Sequence, residues 1–362
     1  MRIFSCIISL LFAFSMSAQS DYDIASKFMA KRGVTLVNED KAATRGTVEP
    51  YSIFSGEDGK GFAIVINGTI VGYSTDNGIN AEDMPPQLKD MLASYSKSTT
   101  RGDGDFPSWF VPRNVTPIEP LIKTHWGQCS PYNDLTPMKS EICVTVTYAQ
   151  LLHYFKVSKT YCDINYNDWF FPQIYLPKTE FDHDKMLESY MYGEYTEDEA
   201  QEVSKFFLYV MYAFSGDYCT EIFNLERKQY EFWDIDRRYD WYDSYLERGI
   251  PFWGNGNSHA YIIDGRDSIG LYHVNFGWCG YYDGYYLFPN TQDQNEEIQG
   301  DYTRAGECFL YILPKGWTSS INNVSCNPID DKVYNLSGQC VGNSLEGLSG
   351  IYIKGGKKFI VR

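Results

Sequence analysis

The stretch SHAYIIDGRDSIGLYHVNFGWCG, residues 258–280, sets the strongest constraint on the fold. Residues 260–263 and 271–274 are rich in β-branched and aromatic side chains. The turn-rich DGRDSIG lies between them, so they read as an antiparallel hairpin. Composition points the same way. Aromatics make up 17% of the chain, with 30 Tyr, and there are 30 Gly, which favours aromatic-rich strands and turns over a helical bundle. A turn centred on Asp267 pairs Asp264 with Gly270, Tyr261 with His273 and His259 with Asn275. Residues paired this way share a face, with Cβ atoms about 4.5–5.5 Å apart. An Asn amide so placed can hold a His ring in one tautomer. The ordinary readings stand beside this one: a satisfied polar His on a strand, and an Asn serving turn chemistry. His273 is a second candidate base.

A thiol in EICVTVTYAQLLHYF, residues 141–155, gives that histidine a candidate partner. Val144, Tyr148, Leu151, Leu152 and Phe155 recur at helical spacing, which predicts a helix with Cys143 at its N-terminus. The unpaired amides and the dipole at that end favour a thiolate. Half of a disulfide is an equal reading of Cys143; a core cysteine more often lies inside the apolar stripe, which Cys143 precedes, and a metal ligand has little support. A cysteine nucleophile needs a base and an orienting group, which His259 and Asn275 can supply. Gln128, in the loop-like THWGQCSPYND, can donate its amide to an oxyanion, or is an ordinary solvated loop residue.

The start of the chain, MRIFSCIISLLFAFSMSAQS, has a basic residue at Arg2, an apolar run over 7–14 and small residues before a cleavage point after Ala18. It reads as a signal peptide, residues 1–18, and places the protein outside the cell or at its surface. Eight of the nine cysteines remain after cleavage, an even number that an oxidising compartment allows to pair. No Cys-x-x-Cys occurs and there are only five His, so a zinc site has little support. The net charge of −16 repels phosphate backbones and anionic lipid, which argues against nucleic-acid binding. No apolar run is long enough to span a bilayer.

Four segments emerge: a small α+β unit over about 21–96 made of a hairpin and a helix, a linker, a large central segment and a tail. GFAIVINGTIVGYS reads as a hairpin, with residues 62–66 and 69–73 flanking Asn67-Gly68. NAEDMPPQLKDMLASYSK reads as a helix with Pro85 and Pro86 in its first turn and Leu88, Met91, Leu92 and Tyr95 on one face. Residues 96–109, with Lys97 and Arg101, read as an exposed linker open to proteolysis. The segment from about 107 to 315 is helix-like first and strand-like from about 250. Residues 317–362 read as short strands between Gly turns.

Several ordered motifs resemble those of the streptopain family of cysteine peptidases, within the papain-like superfamily. THWGQCSPYN is similar to the family's Trp-Gly-Gln-x-x-Pro-Tyr-Asn segment, and CVTVTYAQ to its Cys-Val-Ala-Thr-Ala-x-Ala-Gln motif. HAYIIDGRDSIGLYHVNFGW resembles its His-Ala-Phe-Val-x-Asp-Gly and His-Val-Asn-Trp-Gly-Trp segments, and FDHDKML at 181–187 is also similar. The unit before residue 100 resembles the family's inhibitory propeptide. The chain departs from the pattern at Ile142, where the family has Gly, at Phe276, where it has Trp, and at the GNGNS loop before His259.

The resemblance implies an α+β, papain-like catalytic domain of two subdomains, a helical part and an antiparallel sheet. A small α+β propeptide precedes it and a short β-rich tail follows. The segments are then 1–18 signal peptide, 19–100 inhibitory propeptide, 101–316 peptidase domain and 317–362 tail. The tail resembles, more weakly, the type IX secretion-sorting segment of Bacteroidetes-like bacteria. Cys143 is implied as nucleophile, His259 as base, Asn275 as its orienting group and Gln128 as part of the oxyanion hole. The expected protein is a secreted cysteine endopeptidase made as a zymogen, using no metal or organic cofactor. Its partners are protein or peptide substrates and its own propeptide in cis. Two other classes fit the same residues: an inactive peptidase-like binding protein, and a Cys/His acyl-transfer enzyme that passes its thioester to an amine.

Overall fold

The structure is a computed structural model describing residues 21–37, 51–66, 68–80, 83–99, 113–191, 193–215, 219–230, 238–256, 259–287, 309–318, 333–335, 340–342, 344, 350–354 and 357–361. The signal peptide, Asn67, Arg101 and Phe106 therefore lie outside the described residues. The chain divides between Trp317 and Thr318 into two units. The fold is α+β, as the motifs imply.

The first unit is built on a nine-stranded antiparallel sheet. Its strands are β1 (Ser52–Ser55), β2 (Phe62–Ile66), β3 (Thr69–Ser74), β6 (Leu225–Tyr230), β7 (Phe252–Gly256), β8 (His259–Arg266), β9 (Tyr272–Asn275), β10 (Gly284–Tyr286) and β11 (Phe309–Pro314), in the order β1-β2-β3-β10-β9-β8-β7-β11-β6. A separate ribbon pairs β4 (Ile164–Tyr166) with β5 (Ile174–Leu176). The expected β2–β3 hairpin forms, with Ile66 opposite Thr69 and Gly68 at φ +76°, the left-handed conformation such a turn requires.

Strand β8 is buried along its whole length because both faces of the sheet are covered. Successive side chains on a strand point to opposite faces. Ala260 and Ile262 accordingly join one core, Tyr261 and Ile263 the other. On the first side lie α3 (Cys143–Tyr154), α4 (Glu197–Phe214) and α5 (Cys219–Ile222). Trp126 anchors this core, fully buried among Tyr132, Phe206, Phe207 and the His153 ring. Each buried Phe contributes about 1.5–3 kcal/mol of transfer free energy. Helix α4 starts at a capping box, in which Thr196 and Glu199 satisfy each other's end of the helix.

The other face carries α6 (Arg238–Glu247) and the helices of the N-terminal segment, α1 (21–30) and α2 (Pro86–Thr99). Leu88, Met91 and Leu92 are fully buried, as the periodicity of α2 predicts. Helix α2 runs on to Thr99, so residues 96–99 of the expected linker are helical instead. The N-terminal segment extends the central sheet: β3 pairs with β10 through Tyr73–Tyr285 and Gly72–Tyr286. Gly72 is required there, since a Cβ would lie 2.9 Å from the Tyr286 ring.

The hairpin register differs from the expectation. Ile262, not His259, lies opposite Asn275, and His259 is paired with Gly256 on β7. Two features cause the shift. Asp267 accepts hydrogen bonds from the amides of Ile269 and Leu271, so the turn closes over 267–271 and is not centred on Asp267. A β-bulge then falls between Ile263 and Gly265, where the Asp264 carboxylate accepts from the Ile122 amide and contacts His273.

The second unit is a four-stranded sheet of β12 (Val333–Asn335), β13 (Cys340–Gly342), β14 (Gly350–Lys354) and β15 (Lys357–Val361), in the order β13-β12-β14-β15.

One buried hydrogen bond links the N-terminal segment to the β8–β9 turn: the Tyr73 hydroxyl donates to Asp267 Oδ2 at 2.9 Å. Removing the hydroxyl leaves a buried carboxylate oxygen short of a donor. Tyr73→Phe is expected to lower the stability of the full chain by about 1–3 kcal/mol. A shift in the urea midpoint without a change in slope measures this; an unchanged midpoint contradicts it.

Candidate active site

Helix α3 packs on β8. The helix begins at Cys143 and the strand at His259. Cys143 is a free, half-buried thiol in the first turn of α3. Its carbonyl accepts from Thr147 Oγ1 at 2.9 Å. The Ile142 N-cap has φ −100° and is buried against the helical core, so the absence of the family's Gly introduces no left-handed strain at this position. That conformation falls one residue earlier, on Glu141 at φ 58°. The buried surface of α3 includes Tyr148, Leu151 and Leu152 as expected, but Val144 is 42% exposed. Thr145, Val146 and Ala149 are buried in its stead.

His259 is buried, and its ring stacks on Trp278 at 4.3 Å between centroids. Its Nε2 lies 2.8 Å from the Phe276 carbonyl oxygen. A carbonyl only accepts, so Nε2 carries the proton and Nδ1 is the basic nitrogen of the neutral ring. Burial pulls the imidazole pKa from 6.5 to about 4, against the smaller upward pull of the Phe276 carbonyl.

Asn275 does not touch His259 through its amide. It points to the helical side of the sheet and is tied to α3 instead. Gln150 Nε2 donates to Asn275 Oδ1 at 3.0 Å, and Asn275 Nδ2 donates to the Thr124 carbonyl at 3.0 Å. The register described above is the cause. Asn275 still acts on the histidine at one remove. Its Oδ1 accepts from the Gly277 amide and Asp283 Oδ1 accepts from the Phe276 amide, which fixes the peptide whose carbonyl binds His259.

Gln128 is half-buried in the loop that precedes α3. Asn133 Nδ2 donates both to the Gln128 carbonyl, at 2.9 Å, and to the Lys139 carbonyl, at 2.6 Å. This ties the Gln128 loop to the segment that leads into Cys143. Ser204 of α4 donates its hydroxyl to the Pro131 carbonyl and pins the same loop from the other side. His125 lies 3.6 Å from the buried Asp283 carboxylate, whose proximity raises the imidazole pKa. His273, the alternative base, is buried with Nδ1 2.6 Å from Asp264 Oδ1.

Sequence reasoning missed Gln150. Its Oε1 accepts from Thr124 Oγ1 at 2.8 Å, from the Trp126 amide at 3.3 Å and from Asn275 Nδ2 at 3.3 Å. One fully buried amide therefore joins α3 to the segment before Gln128 and to the end of β9. The available signals were the Gln that closes CVTVTYAQ and its place inside the apolar run YAQLL, since a buried amide has to find partners.

The sequence model of the Peptidase C10 family matches residues 234–286, a span that contains His259 and Asn275. No curated protein matches the chain. Among solved structures, a fragment of Prevotella intermedia prointerpain A carrying a Cys-to-Ala substitution is 24% identical. It covers 74% of this chain and 96% of its own, with a TM-score of 0.57. Active wild-type Prevotella intermedia interpain A cysteine protease is 26% identical over 56% of this chain and 98% of its own, with a TM-score of 0.43. The resemblance to the streptopain family thus holds in the sequence of the His-bearing segment and, through the prointerpain A fragment, in the fold.

Two outcomes follow from this geometry. Gln150→Ala is expected to cost about 2–4 kcal/mol, because it opens a cavity and leaves buried polar partners unpaired; thermal melting of the full chain measures it, and a loss below about 0.5 kcal/mol contradicts the clamp. His259, depressed from 6.5 to about 4, contributes stability that is full above pH 6.5 and lost as pH falls through 4. Its NMR imidazole signals in the full chain should still report a neutral ring at about pH 5.5, below the free value of about 6.5. A midpoint near 6.5 overturns this assignment.

Proposed function

We propose that the chain is a secreted cysteine endopeptidase made as a zymogen. The observation that carries the reading is the Gln150 clamp, which stitches the Cys143 helix to the strand end beside His259. The match of residues 234–286 to the Peptidase C10 family supports the same chemistry.

In this reading His259 Nδ1 takes the thiol proton and the Cys143 sulfur attacks a peptide carbonyl. The Cys143 amide and the Gln128 side chain hold the oxyanion. His259 then protonates the leaving amine and afterwards activates water to hydrolyse the thioester. Asn275 keeps the Phe276 carbonyl, and with it the histidine, in place.

Residues 19–100 act as the propeptide, 101–316 as the peptidase domain and 317–362 as a tail used in sorting. The signal peptide over 1–18 directs export. Among the described residues no helix is long and apolar enough to cross a membrane. The propeptide reading draws support from contacts beside the site. The Tyr282 amide donates to the Gly78 carbonyl, its hydroxyl to the Asn80 and Asp83 carbonyls, and Asn77 Nδ2 donates to the Asp283 carbonyl. The N-terminal segment thus rests on the 278–283 turn, next to the Trp278 ring that stacks on His259. The solved prointerpain A fragment, a pro form of similar fold, agrees with this organisation. A covalently attached inhibitor acts at an effective concentration of roughly millimolar.

The test uses one fluorogenic peptide. Chain cut between Lys97 and Phe106 and freed of residues 21–97 should hydrolyse it, the uncut chain should be at least about tenfold slower, and cut Cys143→Ala should be inactive. Equal rates before and after cutting reject the zymogen reading. Full activity in cut Cys143→Ala rejects the nucleophile. An inactive cut chain with intact fold favours the peptidase-like binding protein, and product that appears only with an added amine favours acyl transfer.

A further inference from the structure

The site is flanked by two thiols that the proposed reaction does not use. Cys129 follows Gln128 and is exposed; Cys279 follows Trp278 and is half-buried. Although 150 residues apart in sequence, their sulfurs lie 3.7 Å from each other. The backbones beneath them are already joined, since the Cys279 amide donates to the Trp126 carbonyl at 3.1 Å. Gly127 makes the approach possible, because a Cβ at 127 would overlap the Cys279 sulfur. Cys279 itself sits at φ 58°, a left-handed conformation that a residue other than Gly seldom adopts and that aims its side chain at the Gln128 loop.

We propose that Cys129 and Cys279 form a disulfide when the chain meets a low-molecular-weight disulfide, and that this bond clips the Gln128 loop to the Trp278 turn. The two thiols are inequivalent. Cys129 is the accessible one, and its hydrogen bond with the Cys279 thiol lowers its pKa from 9.0 to about 6, while the same contact and burial raise that of Cys279. Cys129 is therefore the attacking thiolate. It displaces one thiolate from the external disulfide RSSR and forms a mixed disulfide. Cys279 then loses its proton, attacks the Cys129 sulfur and expels the second thiolate. Two protein thiols are oxidised, one RSSR is reduced to two RSH, and the electrons balance. The sulfurs have to move from 3.7 Å to a bond of about 2.05 Å.

The bond itself does not depend on the peptidase reading. Its consequence does: the clip would hold the wall that carries Gln128 against the turn whose Trp278 ring covers His259. It closes a loop of about 150 residues, long enough for the entropic effect on the unfolded chain to be large.

The experiment uses the full-length chain carrying Cys143→Ala, so that the proposed nucleophile does not compete. The protein is reduced, desalted, exposed to glutathione disulfide at pH 7.5, blocked with iodoacetamide and mapped by mass spectrometry without reduction. The expected product is one linked peptide pair joining Cys129 to Cys279. In Cys279→Ser, Cys129 should stop as its glutathione adduct; in Cys129→Ser, Cys279 should remain a free thiol. Oxidation should also raise the melting temperature by roughly 5 °C or more in the parent and not in either Ser variant. The proposal is overturned if Cys129 in the parent stops at the glutathione adduct, if both thiols are recovered alkylated, or if either is linked to another cysteine.

Discussion

The fully buried Gln150 amide is the interaction on which the arrangement of the site depends. Its oxygen and nitrogen are both used, on Thr124, Trp126 and Asn275. Gln150 and those partners belong to three segments: the helix headed by Cys143, which carries Gln150, the loop that presents Gln128, with Thr124 and Trp126, and the strand that leads to the Phe276 turn, with Asn275. A buried amide costs stability unless its donors and acceptors are matched, so these segments can pack only in the positions that match them. The apolar contacts of α3 with β8 supply adhesion, and Gln150 supplies register. The Trp126 aromatic cluster supports the same region from below.

The protonation of His259 follows from its surroundings. Trp278 covers one face of the ring, the Phe276 carbonyl fixes Nε2, and burial disfavours the imidazolium. A neutral ring can accept a proton at Nδ1. The Trp278–Asp283 turn that shapes this environment also carries the contacts of residues 77–83. The N-terminal segment is bound to this turn and, through β3, to the edge of the sheet at β10. Removing it therefore changes the packing next to the histidine, which gives latency a physical route in the proposed reading.

Local structure was legible in the sequence where one element settles its own conformation. The helix from Cys143 followed from its apolar spacing, the β2–β3 hairpin from Asn67-Gly68, and the buried face of α2 from Leu88, Met91 and Leu92. Contacts that depend on two remote segments were not. The β8–β9 register turned on Asp267 binding the amides of its own turn and on the bulge at Asp264, and neither leaves a mark in hydrophobic alternation. The pairing of β3 with β10 joins strands some 200 residues apart, each of which reads as a strand but not as a partner. Cys143, His259, Asn275 and Gln128 were singled out through their motifs. Asn275 bonds to the turn after β9 and to Gln150 and not to the imidazole, and Gln150 was hidden inside an apolar run.

The central claim is that Cys143 is a nucleophile served by His259. The most direct measurement is labelling of the cut chain, freed of residues 21–97, with a peptidyl epoxide, followed by peptide mapping to locate the adduct. Mapping is essential because Cys129 is also an exposed thiol. The account predicts a single stoichiometric adduct on Cys143, lost in His259→Ala. An adduct confined to Cys129, or labelling of Cys143 that is unaffected by His259→Ala, contradicts it.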